Sequence, residues 1–351
     1  MDMDMANKRL RIGMIGCGEI AAATAKGIRD AEHAEIAAVM DVSEAMARDL
    51  AETYGVPWTC DAAELLARDD VDAVYIAIPH YLLPRLTVQA ARAGKHVLCE
   101  KPMATTLADA DRAIAACAEA GVFLSIAFDA QITPSLQQVR RMIADGVIGE
   151  VIGTRIVYLG DKPDSYWTSG WSGRIATDWR TSKEKAGGGV TVMNAIHDIN
   201  TVRYVTGLEA TRVYAEYGTF ATPVEVEDYL LATLRYTNGA VGHIEVGSCI
   251  KGGGQDAGPG IRIYGSEGQL VINKGIRGYT LRDVEGLQKG TWQDVLPFVP
   301  YARTPIVDAF ATAVLSGRQP LVSGQDGRAA LQIVLAAYQS GASGVPVSLE
   351  R

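Results

Sequence analysis

Three short stretches hold residues whose types and spacing suit chemistry: a glycine loop in IGMIGCGEIAAA, a lysine ahead of a proline in GKHVLCEKPMATT, and a histidine after a glycine run in GGGVTVMNAIHDIN. In the third, glycines 187–189 lead into an amphipathic segment with one histidine, His197. An imidazole with an ordinary pKa of ~6.5 can take a proton at neutral pH. His197 is therefore either a general base or a core histidine on an ordinary helix. Residues three and four apart share a helix face, which places Asn194, His197 and Thr201 in one polar strip and Val192, Ile196, Ile199 and Val202 on an apolar side. A histidine at the top of such a strip suits a pocket wall.

The glycine loop puts Gly16, Gly18 and Ala21 in a G-x-G-x-x-[GA] pattern, after an apolar run and before a helical one. The first glycine permits a tight turn. The second lets the backbone approach a pyrophosphate, and a small third residue lets strand and helix pack closely. The helix N-terminus adds free N–H groups and a positive dipole end. Asp41 ends the next apolar run at the spacing where a carboxylate can accept from both ribose hydroxyls of NAD and repel a 2′-phosphate. Val42 supplies no cation to offset that repulsion. The expected cofactor is NAD rather than NADP. Lys101 follows the fourth apolar run, at the sheet edge where ligands of open α/β sheets bind. Pro102 stiffens the loop and biases Lys101 toward extended backbone. A lysine there is either a surface charge or a held functional group.

These residues need strands and helices to place them. LRIGMIG, AEIAAVMD, VDAVYIAIP, KHVLCEKP and VFLSIAFD are apolar runs separated by helical stretches, which predicts a doubly wound parallel sheet buried on both faces. After residue 129 and one more helix, PSLQQVRRMIADG, alternating runs predict an α+β region with a large, mostly antiparallel open sheet. The TNGA segment predicts a type I′ hairpin, and two helices, TPIVDAFATAVLSG and SGQDGRAALQIVLAAYQSG, close the chain. We expect residues 1–128 to bind dinucleotide and residues 129–351 to bind substrate and mediate oligomerisation, the last helices packing back on the first domain.

A net charge of −8 argues against a nucleic-acid partner. No apolar run approaches the ~18 residues of a membrane span, and the N-terminal MDMDMANKRL carries no signal-peptide core. Cys17, Cys60, Cys99, Cys117 and Cys249 are odd in number and lack C-x-x-C spacing. They predict no disulfide framework and no metal site, but small packing residues in a cytoplasmic protein. His33, His96 and His243 show no ligand pattern, whereas His80 ends the run AIAIP and faces either a nicotinamide or solvent. In residues 161–180, Tyr166, Trp167, Trp171 and Trp179 alternate with polar groups, Arg174 and Arg180, a mixture suited to a sugar or to an oligomer contact.

GCGEIA, GKHVLCEKP, the glycine run before the histidine, DGVIGEV and the closing SGQDGRAALQIVLAAYQSG together resemble the Gfo/Idh/MocA oxidoreductases, over nearly the whole chain. The resemblance implies a Rossmann domain, NAD(P) and a sugar, sugar derivative or cyclitol as substrate. It implies Lys101 hydrogen-bonding the reacting hydroxyl and His197 as the base, with Trp179, Arg180 and Asn194 at the substrate and Lys185 within reach. The cofactor cradle it implies comprises Gly16, Gly18, Glu19, Ile20, Asp41, Ile78, Pro79, His80, Glu100 and Lys101. A homodimer or homotetramer is implied as well. Two positions depart from the family pattern. Met193 stands where many members carry an aspartate one turn before the histidine, so either Asn194 or another residue takes the orienting role, or proton transfer is weakened and the protein does something other than simple oxidation. Gln131 and Ile132 replace an arginine and an aromatic, implying a differently shaped pocket. The expected activity is NAD-dependent oxidation of a secondary hydroxyl. The alternatives are a redox-neutral enzyme that retains NAD and acts on a glycoside, and a non-enzymatic NAD-binding sensor.

Overall fold

The five apolar runs before residue 129 form strands β1 (Leu10–Ile15), β2 (Ala34–Met40), β4 (Ala73–Ile76), β5 (His96–Cys99) and β6 (Leu124–Ile126) of a computed structural model that describes residues 8–254, 260–297, 299 and 301–349. A sixth strand, β3 (Trp58–Thr59), is two residues long, too short to show periodicity. Every pairing is parallel, in the order β3-β2-β1-β4-β5-β6. The order reverses between β1 and β4, so a crevice opens at their carboxyl ends. All four residues of β4 are buried, as expected for a strand covered on both faces. The lack of a signal-peptide core in MDMDMANKRL rests on residues 1–7, outside the described residues.

The second sheet has nine strands: β7 (Val151–Leu159), β8 (Ala210–Gly218), β9 (Tyr229–Tyr236), β10 (Val241–Gly247), β11 (Gly260–Gly265), β12 (Gly268–Asn273), β13 (Gly275–Thr280), β14 (Gln293–Leu296) and β15 (Val347–Ser348). Its order is β14-β13-β12-β11-β7-β10-β9-β8-β15. All pairs are antiparallel except β7 with β10. Burial alternates along β9, with Leu230, Ala232, Leu234 and Tyr236 turned inward.

The TNGA hairpin forms, but not as a type I′ turn. Four residues separate β9 from β10, and among them only Gly239 has positive φ, at 87°. Asn238 keeps negative φ and uses its side chain instead, donating to the Val151 carbonyl at 2.8 Å and accepting from Ala240 N at 3.0 Å. Helix Arg303–Leu315 leaves the second sheet's territory. Its Ile306, Val307 and Phe310 pack with Ile12, Met14, Tyr75 and Leu98 of the first sheet. That return of the chain brings Arg303 to the crevice.

Cys17, Cys99 and Cys117 are buried as packing residues, but Cys60 is exposed, because it sits in the polar loop after β3. No helix among the described residues is long and apolar enough to cross a membrane.

Candidate active site

A cleft of about 1180 Å³ opens at the switch point. Gly16, Gly18, Glu19, Ile20, Asp41, Ile78, Pro79, His80, Glu100 and Lys101 all line it, as do Trp179, Arg180 and Asn194. His197 does not; it lies beside the cleft wall, with a quarter of its side chain exposed.

The glycine loop fits a dinucleotide. Gly16 has φ +96°, and a Cβ there would meet the Ala77 carbonyl at 2.2 Å. A Cβ at Gly18 would meet nothing within 4 Å, so the backbone is open to a ligand. Helix Glu19–Arg29 begins with no side-chain cap, leaving its first N–H groups free. Asp41 accepts from Cys17 N and Ser43 N, each at 2.8 Å. One bond per oxygen fixes the carboxylate and leaves each oxygen a lone pair for a ribose hydroxyl.

Lys101 leaves the end of β5 through a cis Lys101–Pro102 peptide. Its Nζ donates to the Met193 carbonyl at 2.7 Å. Burial brings its pKa down to about 8, with Arg303 and Arg180 adding to the fall and Glu100 and Asp129 opposing it. Neighbouring Glu100 is buried, bonded to Arg303 and accepting from Tyr75 Oη at 2.7 Å. Burial alone would raise its carboxyl, but Arg303 and Lys101 outweigh that and hold it below the ordinary range. Glu100 is thus an ionised anchor under Lys101.

His197 lies on helix Ile196–Thr206, entered through a wider π-helical turn, Thr191–Ala195. The glycine run before it is needed for close approach. Gly189 N donates to Glu227 Oε2 at 2.5 Å and Thr191 N to Glu227 Oε1 at 2.9 Å, and a Cβ on Gly189 would meet the Glu227 carbonyl at 1.9 Å. Val192, Ile196, Ile199 and Val202 are buried as the pattern predicts. The polar strip is only partly as predicted. Thr201 is buried and donates back to the His197 carbonyl at 3.0 Å, and Asn194, in the π turn, makes no bond to the imidazole.

The carboxylate facing the imidazole comes from elsewhere. Asp129 Oδ1 lies 3.5 Å from His197 Nδ1, an ion-pair distance rather than a made hydrogen bond. Burial and Lys101 push the His197 pKa below its ordinary value, and Asp129 partly restores it. Asp129 itself is pushed up by burial but ends below the ordinary carboxylate range beside His197. Phe128 and Tyr301 pack edge-on to the imidazole at 5.6 and 5.9 Å between centroids.

His80 is buried, not solvent-facing, and its ring lies 4.4 Å from Trp179. Its Nδ1 lies 2.8 Å from the Ala186 carbonyl. A carbonyl only accepts, so Nδ1 carries the proton and Nε2 is an acceptor. Burial drives its pKa to about 3, so His80 is neutral.

The aromatic segment is less exposed than its composition suggests. Tyr166 and Trp167 are buried on helix Asp164–Ser169, Trp179 is half-buried, and only Trp171 is well exposed. Lys185 is not itself a lining residue; it pairs at 2.7 Å with Asp178, which is. The segment straps the glycine loop instead. Trp171 N and Ser172 N donate to the Glu19 carboxylate at 3.1 and 2.8 Å, and Arg174 pairs with Asp49 at 2.5 Å.

Sequence reasoning missed Asp129 and Arg303. Asp129 stands just past β6, at the same sheet edge as Lys101, and that position was a usable signal. Arg303 lies some two hundred residues from its partner Glu100 and gave none. Among the described residues no cluster of three or more His, Cys, Asp or Glu is placed to hold a metal.

Comparison with known proteins agrees with this geometry. Residues 10–128 match the model of an oxidoreductase family with an NAD-binding Rossmann fold, and residues 136–271 match the GFO/IDH/MocA C-terminal domain. A 1,5-anhydro-D-fructose reductase of Ensifer adhaerens is 30% identical over 97% of this chain and 98% of its own. A myo-inositol 2-dehydrogenase of Thermotoga maritima is 28% identical over 94% of this chain and 96% of its own. The solved structure of a levoglucosan dehydrogenase with NADH and levoglucosan is 25% identical, covers 98% of this chain and 100% of its own, and superposes with a TM-score of 0.83.

Proposed function

Because the chain belongs to the Gfo/Idh/MocA oxidoreductases, we propose that it is an NAD-dependent dehydrogenase that oxidises a secondary hydroxyl of a sugar, sugar derivative or cyclitol. The observation that supports this most is one cleft shared by the glycine loop, Asp41 and Lys101, with the His197–Asp129 pair at its side. When bound, the dinucleotide supplies the hydride acceptor. The rest is done by protein groups. The Lys101 ammonium spends one N–H on the Met193 carbonyl and has two left for the substrate hydroxyl, whose developing alkoxide it stabilises. His197 takes the hydroxyl proton at Nε2, while Asp129, facing Nδ1, stabilises the imidazolium. The unpartnered Asn194 Oδ1 accepts from a second substrate hydroxyl, and Trp179 and Arg180 form the substrate edge.

The two pKa shifts set the pH dependence. His197 must be neutral and Lys101 charged. Activity therefore falls as pH drops through a value below 6.5 and falls again as pH rises through about 8. A kcat/KM profile of oxidation measures both limbs. A profile still rising well above pH 8 contradicts the ammonium role.

Asp41 implies NAD over NADP. We expect NADP to bind at least about tenfold more weakly than NAD, and Asp41→Ala to narrow the gap. Titrating intrinsic fluorescence with each dinucleotide checks this, and equal affinities in the parent protein refute it.

One observation favours a second reading, a redox-neutral enzyme that keeps its NAD. The strap through Glu19, Trp171, Ser172 and Arg174 ties residues 171–174 to the glycine loop and the helix after β2, and on this second reading it is what retains the dinucleotide. Stoichiometric NAD surviving purification and dialysis supports that reading, and free exchange on the timescale of turnover dismisses it.

A further inference from the structure

Under the aromatic rim of the cleft, behind the lining residues, lies a cation with no directly bonded counter-ion. Lys162 is 5% exposed, and its Nζ has no hydrogen-bond partner. The ammonium lies 3.8 Å from the centroid of the Tyr166 ring and 4.8 Å from that of Trp171, and both rings line the cleft. The Arg180 guanidinium lies 5.4 Å from the same Tyr166 centroid. Lys101 is the third positive group. Burial, then the charges of Lys101 and Arg180, bring the Lys162 pKa down to about 8.

Glu100 pairs with Arg303 and Asp178 with Lys185; the Glu19 charge acts on Lys162 and partly offsets the fall in its pKa, but its oxygens accept from two backbone N–H groups and not from the ammonium. Ring faces attract an ammonium, but far less than a paired and hydrogen-bonded anion does. A neutral sugar offers no compensating charge. On the reading that the chain is a sugar or cyclitol dehydrogenase, we propose that its substrate is a sugar acid, whose carboxylate pairs with Lys162 and Arg180 while a hydroxyl of the same molecule meets Lys101. The carboxylate is the directly bonded counter-ion that Lys162 lacks, and pairing at one end of the molecule fixes which hydroxyl reaches the reacting end.

Binding tests this without turnover. The full chain saturated with NADH is titrated calorimetrically with D-glucuronate, D-galacturonate and D-gluconate, and in parallel with D-glucose, D-galactose and D-glucitol. At least one acid is expected to bind about ten- to a hundredfold more tightly than its neutral counterpart. The preference is expected to shrink as salt is raised. Lys162→Met removes it, Lys162→Arg keeps it, and NADH affinity stays within about twofold in both. Equal binding in every pair overturns the proposal, as does no binding of any acid. It is overturned too if Lys162→Met weakens NADH and spares the acid preference, since the cation would then serve the dinucleotide pyrophosphate. A preserved acid preference with no hydride transfer counts against the dehydrogenase reading and leaves the subsite standing.

Discussion

Lys101→Met is expected to lower kcat/KM for sugar oxidation by about 10²–10³, with most of the loss in kcat and NADH affinity nearly unchanged. Methionine, one atom shorter, keeps the apolar stem but removes the charge that meets the developing alkoxide. The position is well buried in the electrostatic sense: burial is the largest influence on the Lys101 pKa, and the ammonium is bonded only to a backbone carbonyl. In such a place one positive donor is worth far more than in water. The structural cost is limited, because Glu100 below it keeps its partners Arg303 and Tyr75. Steady-state kinetics with a fluorescence titration of NADH checks both halves. A variant that loses affinity for NADH and keeps kcat would make Lys101 a cofactor ligand only.

His197→Ala is expected to cost about 10²–10⁴ in kcat, the usual value of a positioned general base. It is also expected to abolish the acidic limb of the pH profile. Asp129→Asn separates the base from its support. Asp129 raises the imidazole pKa against burial and Lys101. Its neutralisation therefore lowers that pKa, moving the acidic limb to lower pH, and reduces the rate by about tenfold as the imidazolium loses its stabilising charge. A slower variant with an unmoved limb would show Asp129 to be structural. An unchanged rate in His197→Ala would remove the histidine from the chemistry, and its place beside rather than in the cleft wall would then read as packing against Phe128 and Tyr301.

Much of the first sheet was legible because strands buried on both faces read as continuous apolar runs. Five of its strands and the glycine loop stand where those runs predict. Two-residue strands such as β3 and β15 carry no periodicity and left no trace. The Asn-Gly pair marked a turn correctly, but its type depends on loop length, which residue identity does not carry. At the site, local signals held best. The cradle residues lie within a few positions of strand ends, and all ten line the cleft. What escaped was long-range pairing. The missing aspartate at Met193 drew attention to adjacent Asn194, whereas the charge facing His197 is Asp129, 68 residues earlier and brought near by β6. The segment carrying Lys162 reads as polar and aromatic, and only folding shows that Tyr166 and Trp167 turn inward and that Lys162 is buried with them.

The most direct test is the production of NADH by the purified chain from NAD and each of a panel of aldoses, pyranosides, sugar acids and inositols. The proposal predicts NADH in many-fold excess over enzyme with at least one of them, and none beyond background in His197→Ala. Demonstrable NAD binding with no NADH from any member of the panel would contradict a dehydrogenase of these substrates and leave the redox-neutral and sensor readings in its place.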